Sequence, residues 1–141
     1  MTRQWAKSVR RAVVLTTSVA LLVGPALPAS AASSPLPKTK FDVTSIQWHH
    51  RTGTVAVTAD VKCAGEGTFS WQTSLQQRHA RARGSANVPC DGDRFLSTII
   101  LDAKQGRFHP GSAEFSKGTV TCATDVCIGL GIGRLIRISP R

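Results

Sequence analysis

The chain contains no tyrosine, and aromatic residues make up only 6% of its 141 positions. Proteins that bind single-stranded nucleic acid stack its bases on several aromatic rings interleaved with basic side chains. This sequence has no such interleaving, so we expect no specific nucleic-acid recognition. The G-x-S-x-G and H-E-x-x-H motifs of hydrolases and metalloproteases are also missing. We therefore expect a protein that is not an enzyme and that uses no cofactor.

Long apolar runs are nearly absent, and the one exception lies at positions 12–23 (AVVLTTSVALLV). Four of the eleven residues before it are basic and none is acidic, and mainly small residues follow it as far as Ala32. This three-part order is typical of a secretory signal peptide. About 12 apolar residues are too few to cross a bilayer, for which roughly 20 are needed. We expect residues 1–32 to be cleaved off after Ala31 or Ala32, leaving a secreted, extracellular protein without a transmembrane segment.

Acidic residues are scarce, with 8 against 18 lysines and arginines. Four of the basic residues fall in the predicted signal, so the remainder carries 14 − 8 = +6. Residues 33–40 are polar and proline-containing, which predicts an extended lead-in, and residues 41–141 have the length of a single domain. A basic exported domain attracts polyanions. The expected partner is therefore an anionic cell-wall polymer or an extracellular protein.

The four cysteines all follow the predicted signal, at Cys63, Cys90, Cys122 and Cys127. An even number in a small exported domain predicts two disulfides. Of the three possible pairings we choose the sequential one, Cys63–Cys90 and Cys122–Cys127, because any other requires Cys122 and Cys127 each to reach a distant partner. The alternative is a zinc site. No histidine pair has the H-x₃₋₅-H spacing of such sites, so no metal is expected.

Apolar residues recur at every second position after the lead-in, which is the pattern of half-buried strands. Residues 54–63 alternate in this way, and residues 68–75 do so with Phe69, Trp71 and two further side chains facing inward. A change of phase near Ser45 predicts a bulge in the first strand. No segment beyond the signal shows a sustained helical period. Seven or eight short strands predict an all-β protein with a small antiparallel β-sandwich and two disulfides.

The order Cys63, Trp71, Cys90 resembles the bridge-and-tryptophan core of immunoglobulin-like domains. Trp71 follows Cys63 closely, and the chain has no tyrosine for a tyrosine corner. We expect an immunoglobulin-like sandwich that has no tyrosine corner and a closer spacing of the first cysteine and the tryptophan. Trp48 lies in the first predicted strand, next to two histidines. It is interpreted either as a core residue or as a platform for stacking a sugar.

The most basic stretch covers residues 76–84 (QQRHARARG) and supplies the candidate binding residues Arg78, His79, Arg81 and Arg83. In an extended strand the last three share one face, and guanidinium groups match phosphates and carboxylates. The alternative is that these charges prevent an edge strand from pairing with another copy. No catalytic residue is assigned.

A glycine run at residues 129–133 (GLGIG) lacks the spacing of a dinucleotide-binding loop. We interpret it as a flexible return after Cys127, with the last strand beginning at Ile132.

The runs GTVAVTADVKCAGEG, VPCDGD and FHPGSAEF occur in this order. In this respect the chain resembles a family of small secreted actinobacterial proteins of unassigned function with an immunoglobulin-like β domain. The resemblance covers residues 41–120 and implies export, a sandwich-like fold and a disulfide between Cys63 and Cys90. It implies no activity. The Cys122–Cys127 pair and the glycine-rich ending depart from the family.

The function expected from the sequence is that of a non-enzymatic, secreted binding or envelope-associated module with a cationic edge. The alternative is a secreted hydrolase, or an inhibitor of one, with its site in the loops. The identity of the ligand, the oligomeric state and any role of the histidines at positions 49 and 50 stay open.

Overall fold

The computed structural model describes residues 34–139, which form seven antiparallel strands in two sheets. The strands are β1 (Lys38–His49), β2 (Thr54–Ala64), β3 (Thr68–Gln77), β4 (Ala80–Val88), β5 (Asp91–Leu101), β6 (Gly111–Cys122) and β7 (Cys127–Ile138). One sheet has the order β1-β2-β5, and the other has the order β4-β3-β6-β7. The predicted all-β sandwich is confirmed. The predicted signal peptide lies outside the described residues.

Alternation along the central strands produces the core. In β2 every second residue from Val55 to Cys63 is buried, and in β3 the same holds from Phe69 to Leu75. The inward faces of the two sheets meet around Trp71, whose exposed fraction is 1%. The inward set predicted for β3 is therefore confirmed, and the apolar area removed from water there is the main stabilising contribution.

The bulge predicted in β1 is also present, because the pairing of β1 with β2 shifts between Val43 and Ser45. One extra residue in a strand reverses which face the following side chains occupy. The shift thus brings Ile46 and Trp48 onto the same face as Phe41, and all three pack against the core. Gly53, with a φ of 71°, closes the hairpin to β2.

Both predicted disulfides form, Cys63–Cys90 and Cys122–Cys127. Cys90 directly precedes β5, which lies beside β2 in the three-stranded sheet. The first bridge therefore joins neighbours within one sheet, whereas the bridge of antibody domains joins the two sheets. The contact between the sheets is instead made by Trp71, whose indole N–H donates a 2.9 Å hydrogen bond to the Ser97 hydroxyl.

The interpretation of residues 129–133 as a flexible return is wrong. They belong to β7, which pairs with β6 without a register shift over its whole length. Glycine disfavours a strand when taken alone, but the hairpin closed by Cys122–Cys127 holds this segment against β6. The described residues contain no helix of the length and apolar character that a membrane crossing requires.

Candidate anion-binding site

A cleft of about 550 Å³ lies at one end of the sandwich, between the β3–β4 turn and the loop that joins β5 to β6. Its basic side chains come from both segments: Arg78 and His79 from the turn, Arg107 and His109 from the loop. No carboxylate lines it. Two arginines, whose guanidinium groups are always charged, with no carboxylate among the described lining residues, make a site whose field favours an anion.

The turn that carries Arg78 and His79 is sharply bent. Arg78 has a φ of 52°, and is the one non-glycine residue with positive φ in the described part of the chain. Ala80 follows at an exposed fraction of 2% and anchors the start of β4 in the core. The two basic side chains are therefore displayed by a turn that is fixed on both sides, by β3 and by β4.

Gln77 fastens the β5–β6 loop to the turn. Its amide nitrogen donates to the carbonyl oxygens of His109, at 2.9 Å, and Ser112, at 3.2 Å. Its amide oxygen accepts a 2.8 Å bond from the His109 backbone N–H. Because one side chain binds the loop in both directions, the His109 backbone is held at a fixed distance from Arg78.

The loop is also anchored by Phe108, the residue before His109, which is fully buried. Its carbonyl oxygen accepts a 2.7 Å hydrogen bond from the Trp48 indole, and its N–H donates to Gly53 at 3.3 Å. The stem of Arg107 lies against Gly53, within 3.2 Å of where a Cβ would stand. Trp48 is half-buried and serves to hold the loop, which favours its interpretation as a core residue over that as a sugar platform.

The four candidate residues predicted from the sequence do not form a single row. Arg78 and His79 line the cleft, whereas Arg81 and Arg83 lie along β4, opposite Gln76 and Ser74 of β3. Both arginines are exposed on the outer face of the four-stranded sheet, and β4 is an edge strand as expected.

Arg107 and His109 were missed as site residues, because they lie about thirty positions from Arg78 and no local pattern links the two segments. The run FHPG indicated a turn, and only the Gln77 hydrogen bonds place it beside β4.

A shallow trough of about 540 Å³ runs across the outer face of the four-stranded sheet, beside Arg83. Its floor is made of small and polar residues, among them Gly118, Gly131 and Ser116. The glycines leave the face flat, because they carry no side chain above the sheet. Arg83 is thus the residue of the basic stretch that borders this trough.

A second charged cluster, on the outer face of the other sheet, is neutralised internally. Arg94 donates from Nε to both carboxylate oxygens of Asp60, at 2.8 and 2.9 Å. Those hydrogen bonds hold the pKa of Asp60 below its ordinary value, against the opposing effect of desolvation. A guanidinium already paired in this way is a poor anion site.

The lowered pKa of Asp60 has a consequence for acid stability. A carboxylate with a depressed folded-state pKa stabilises at pH values above its unfolded pKa, about 4, and that stabilisation is lost as the pH falls through the folded value. We expect Arg94→Ala to lower the urea midpoint slightly at pH 7, because exposed pairs contribute little. The difference from the wild type should shrink toward pH 2; a difference that grows on acidification would contradict this assignment.

Comparison with family models, with curated proteins and with solved structures finds no match for this chain. The resemblance to small secreted actinobacterial proteins therefore stays a prediction. The geometry of the cleft, and not a relative, has to carry the argument about function.

Proposed function

We propose that the protein is a non-enzymatic exported module that binds an anionic polymer through the cleft of Arg78, His79, Arg107 and His109. The observation that carries this proposal is the convergence of these four basic residues from two segments without any lining carboxylate. Arginine is suited to the role, since its planar fork donates two parallel hydrogen bonds to a phosphate or carboxylate.

The polymer class follows from the shape of the surface. The lining includes Ala80, the first residue of β4, and the exposed Arg81 and Arg83 follow it along that strand. Successive arginines along a strand, at alternate positions, are about 7 Å apart. Such spacing suits a chain with regularly repeated anionic groups, such as a polyol phosphate or a uronate polymer of a cell envelope, better than a single small anion.

The compartment is part of the same proposal. Two disulfides and no free cysteine among the described residues fit an extracellular protein. A wall polymer is present at high local concentration in that compartment. Even a weak, charge-driven interaction is then enough to keep the protein at the envelope.

The proposal is tested with the protein expressed from its complete sequence in a secreting host and titrated with poly(glycerol phosphate). The informative variant is Arg78→Gln/Arg107→Gln, which keeps the side-chain stems. We expect affinity at about 0.05 M salt to fall about tenfold or more, since each charge-assisted hydrogen bond contributes roughly 1.5–3 kcal/mol. Wild-type affinity should itself fall as salt rises to about 0.5 M, because exposed charges are screened.

The matched control is Lys38→Gln/Lys40→Gln, which removes the same charge from exposed positions of β1. We expect the affinity of this control to fall by less than about threefold, as a change of net charge alone predicts. Arg81→Ala/Arg83→Ala should fall between the two and leave the fold intact. Equal losses of affinity in all three variants would mean that binding depends on general positive charge and not on the cleft. Turnover of an ester or glycoside would contradict a non-enzymatic role.

A further inference from the structure

The two outer strands of the four-stranded sheet differ in how they are protected. β4 carries arginines at alternate positions, and charges of this kind stop edge strands from pairing. β7 carries no charged residue from Cys127 to Gly133, has no bulge against β6 and exposes large apolar side chains. Among them are Leu130, with an exposed fraction of 72%, and Ile132, with one of 58%. Proteins avoid edges of this type unless the edge is covered.

Among the described residues, part of β7 has no strand facing it, because the two sheets differ in their number of strands. The four-stranded sheet faces only three strands, and β1 forms the border of the smaller sheet. At its end β7 approaches β1, because Ser139 bridges to Gln47 and Ile138 is buried. Toward the start of β7, the inward-facing Leu130 and Ile132 line a surface pocket with Phe41 of β1 and stay largely exposed in the described part of the chain.

The backbone groups at this edge belong to the glycines. Cys122 and Cys127 are paired at a Cα separation of 4.0 Å, and Ala123 donates a hydrogen bond to Val126 inside the turn. Such a short separation marks a pair that exchanges no ladder hydrogen bonds. The N–H and C=O groups of Cys127, and of the alternate residues Gly129, Gly131 and Gly133, therefore point to the free edge.

We propose that β7 pairs antiparallel with β7 of a second copy, centred on Gly131, to join the two four-stranded sheets into one. The free edge runs over residues 127–135, before the bridge at Ser139, and Gly131 is its midpoint. A two-fold axis there places glycine opposite glycine, so the backbones approach without side-chain hindrance.

This register is complementary in side chains as well. Leu130 of each copy lies opposite Ile132 of the other, which buries both on the inward face. Arg134 falls opposite Ile128 and not opposite a second arginine, so no like charges face each other. A strand edge about 30 Å long and about 10 Å wide buries about 300 Å² on each copy, or roughly 600 Å² in total, to which the apolar side chains add. That is the size of a weak but specific dimer.

The test is sedimentation velocity of the disulfide-bonded protein, expressed from its complete sequence, across a concentration series. We expect a dimer at concentrations on the order of 100 μM and dissociation on dilution. Leu130→Lys/Ile132→Lys should raise the dissociation constant about tenfold or more. Because both side chains are exposed in the single copy, this variant is expected to fold, which circular dichroism verifies.

The chain offers a closely matched control, Leu96→Lys/Ile100→Lys, which makes the same change on the outer face of β5. These residues have exposed fractions of 67% and 57%, nearly those of the β7 pair. The control should dimerise like the wild type. A second measurement is Gly131→Cys, which should form a covalent dimer across the two-fold axis, whereas Ser85→Cys on β4 should not.

Three results would overturn the proposal: a wild type that stays monomeric at all concentrations, an equal loss in the control, or growth beyond the dimer. Salt separates this inference from the proposed function. Apolar pairing at β7 should persist at about 0.5 M salt, where binding of the polyanion is lost.

Discussion

Trp71→Ala is expected to lower the free energy of unfolding by about 3–5 kcal/mol. The indole is buried at the centre of β3, at an exposed fraction of 1%, and its ring packs 5.4 Å from the ring of Phe41, centroid to centroid. Its removal leaves a cavity between the two sheets, and the surrounding side chains can fill that cavity only in part. A domain of this size is stable by only about 5–15 kcal/mol. Chemical denaturation monitored by circular dichroism gives the value directly.

The hydrogen bond from Trp71 to Ser97 can be separated from packing by a double-mutant cycle. Ser97→Ala leaves a buried indole N–H without its partner, which costs about 1–3 kcal/mol. Trp71→Phe removes the donor and some volume together. If the bond couples the sheets, the double variant loses less than the sum of the single variants. Strictly additive losses would mean that Trp71 acts through packing alone. Arg94→Ala on the sheet surface is the small-effect comparison.

The sequence predicted burial best in strands that pack one face against the opposite sheet. β3 lies in the middle of its sheet and faces the other sheet along its whole length, so its inward residues must be apolar at every second position. Phe69, Trp71 and Leu75 follow that rule, and their burial was predicted from spacing alone. The fourth inward residue, Thr73, is polar, and its hydroxyl donates a hydrogen bond to the Ser116 carbonyl oxygen. The bulge in β1 was predictable for the same reason, since a strand with one buried face reveals any change of phase.

The prediction was wrong for β7, where two local signals disagree. Alternate glycines disfavour a strand and give no side chain to pack, while alternate Ile and Leu favour one. The outcome is decided by pairing with β6, closed by the disulfide at Cys122 and Cys127, which is a property of two segments together. The exposure of the apolar residues depends on something less local still, because the opposite sheet has three strands in the part of the chain that the structure describes.

The basic cleft shows the same limit for the candidate site. Arg78 and His79 were identified because they are neighbours in a basic run, whereas Arg107 and His109 lie in a loop of ordinary composition. What brings the pairs together is Gln77, whose side-chain amide binds backbone groups and therefore imposes no residue type on the loop. A backbone acceptor leaves no mark in a single sequence. The four residues come together only in the folded chain.

The two disulfides are expected to contribute unequally, although both join neighbouring strands. Cys63 and Cys90 are separated by 27 residues and Cys122 and Cys127 by 5. On the chain-entropy model, the loop of the first bridge restricts the unfolded chain by about 3.6 kcal/mol and that of the second by about 2 kcal/mol. Cys63 is also fully buried, whereas Cys127 is exposed, so loss of the first bridge disturbs the core as well.

The comparison is made between Cys63→Ala/Cys90→Ala and Cys122→Ala/Cys127→Ala, each purified with the other bridge intact. The first variant should lose about 3–4 kcal/mol, enough to unfold a substantial fraction of a marginal domain at 37 °C. The second should stay folded and lose about 2 kcal/mol or less, with hydrogen exchange becoming faster mainly at the β6–β7 turn. If the second variant proves the less stable, the hairpin that fixes β7 matters more than loop length. The Cys122–Cys127 bridge would then be what holds the free edge of β7 in the conformation needed for pairing. The dimer should dissociate when that bridge is removed.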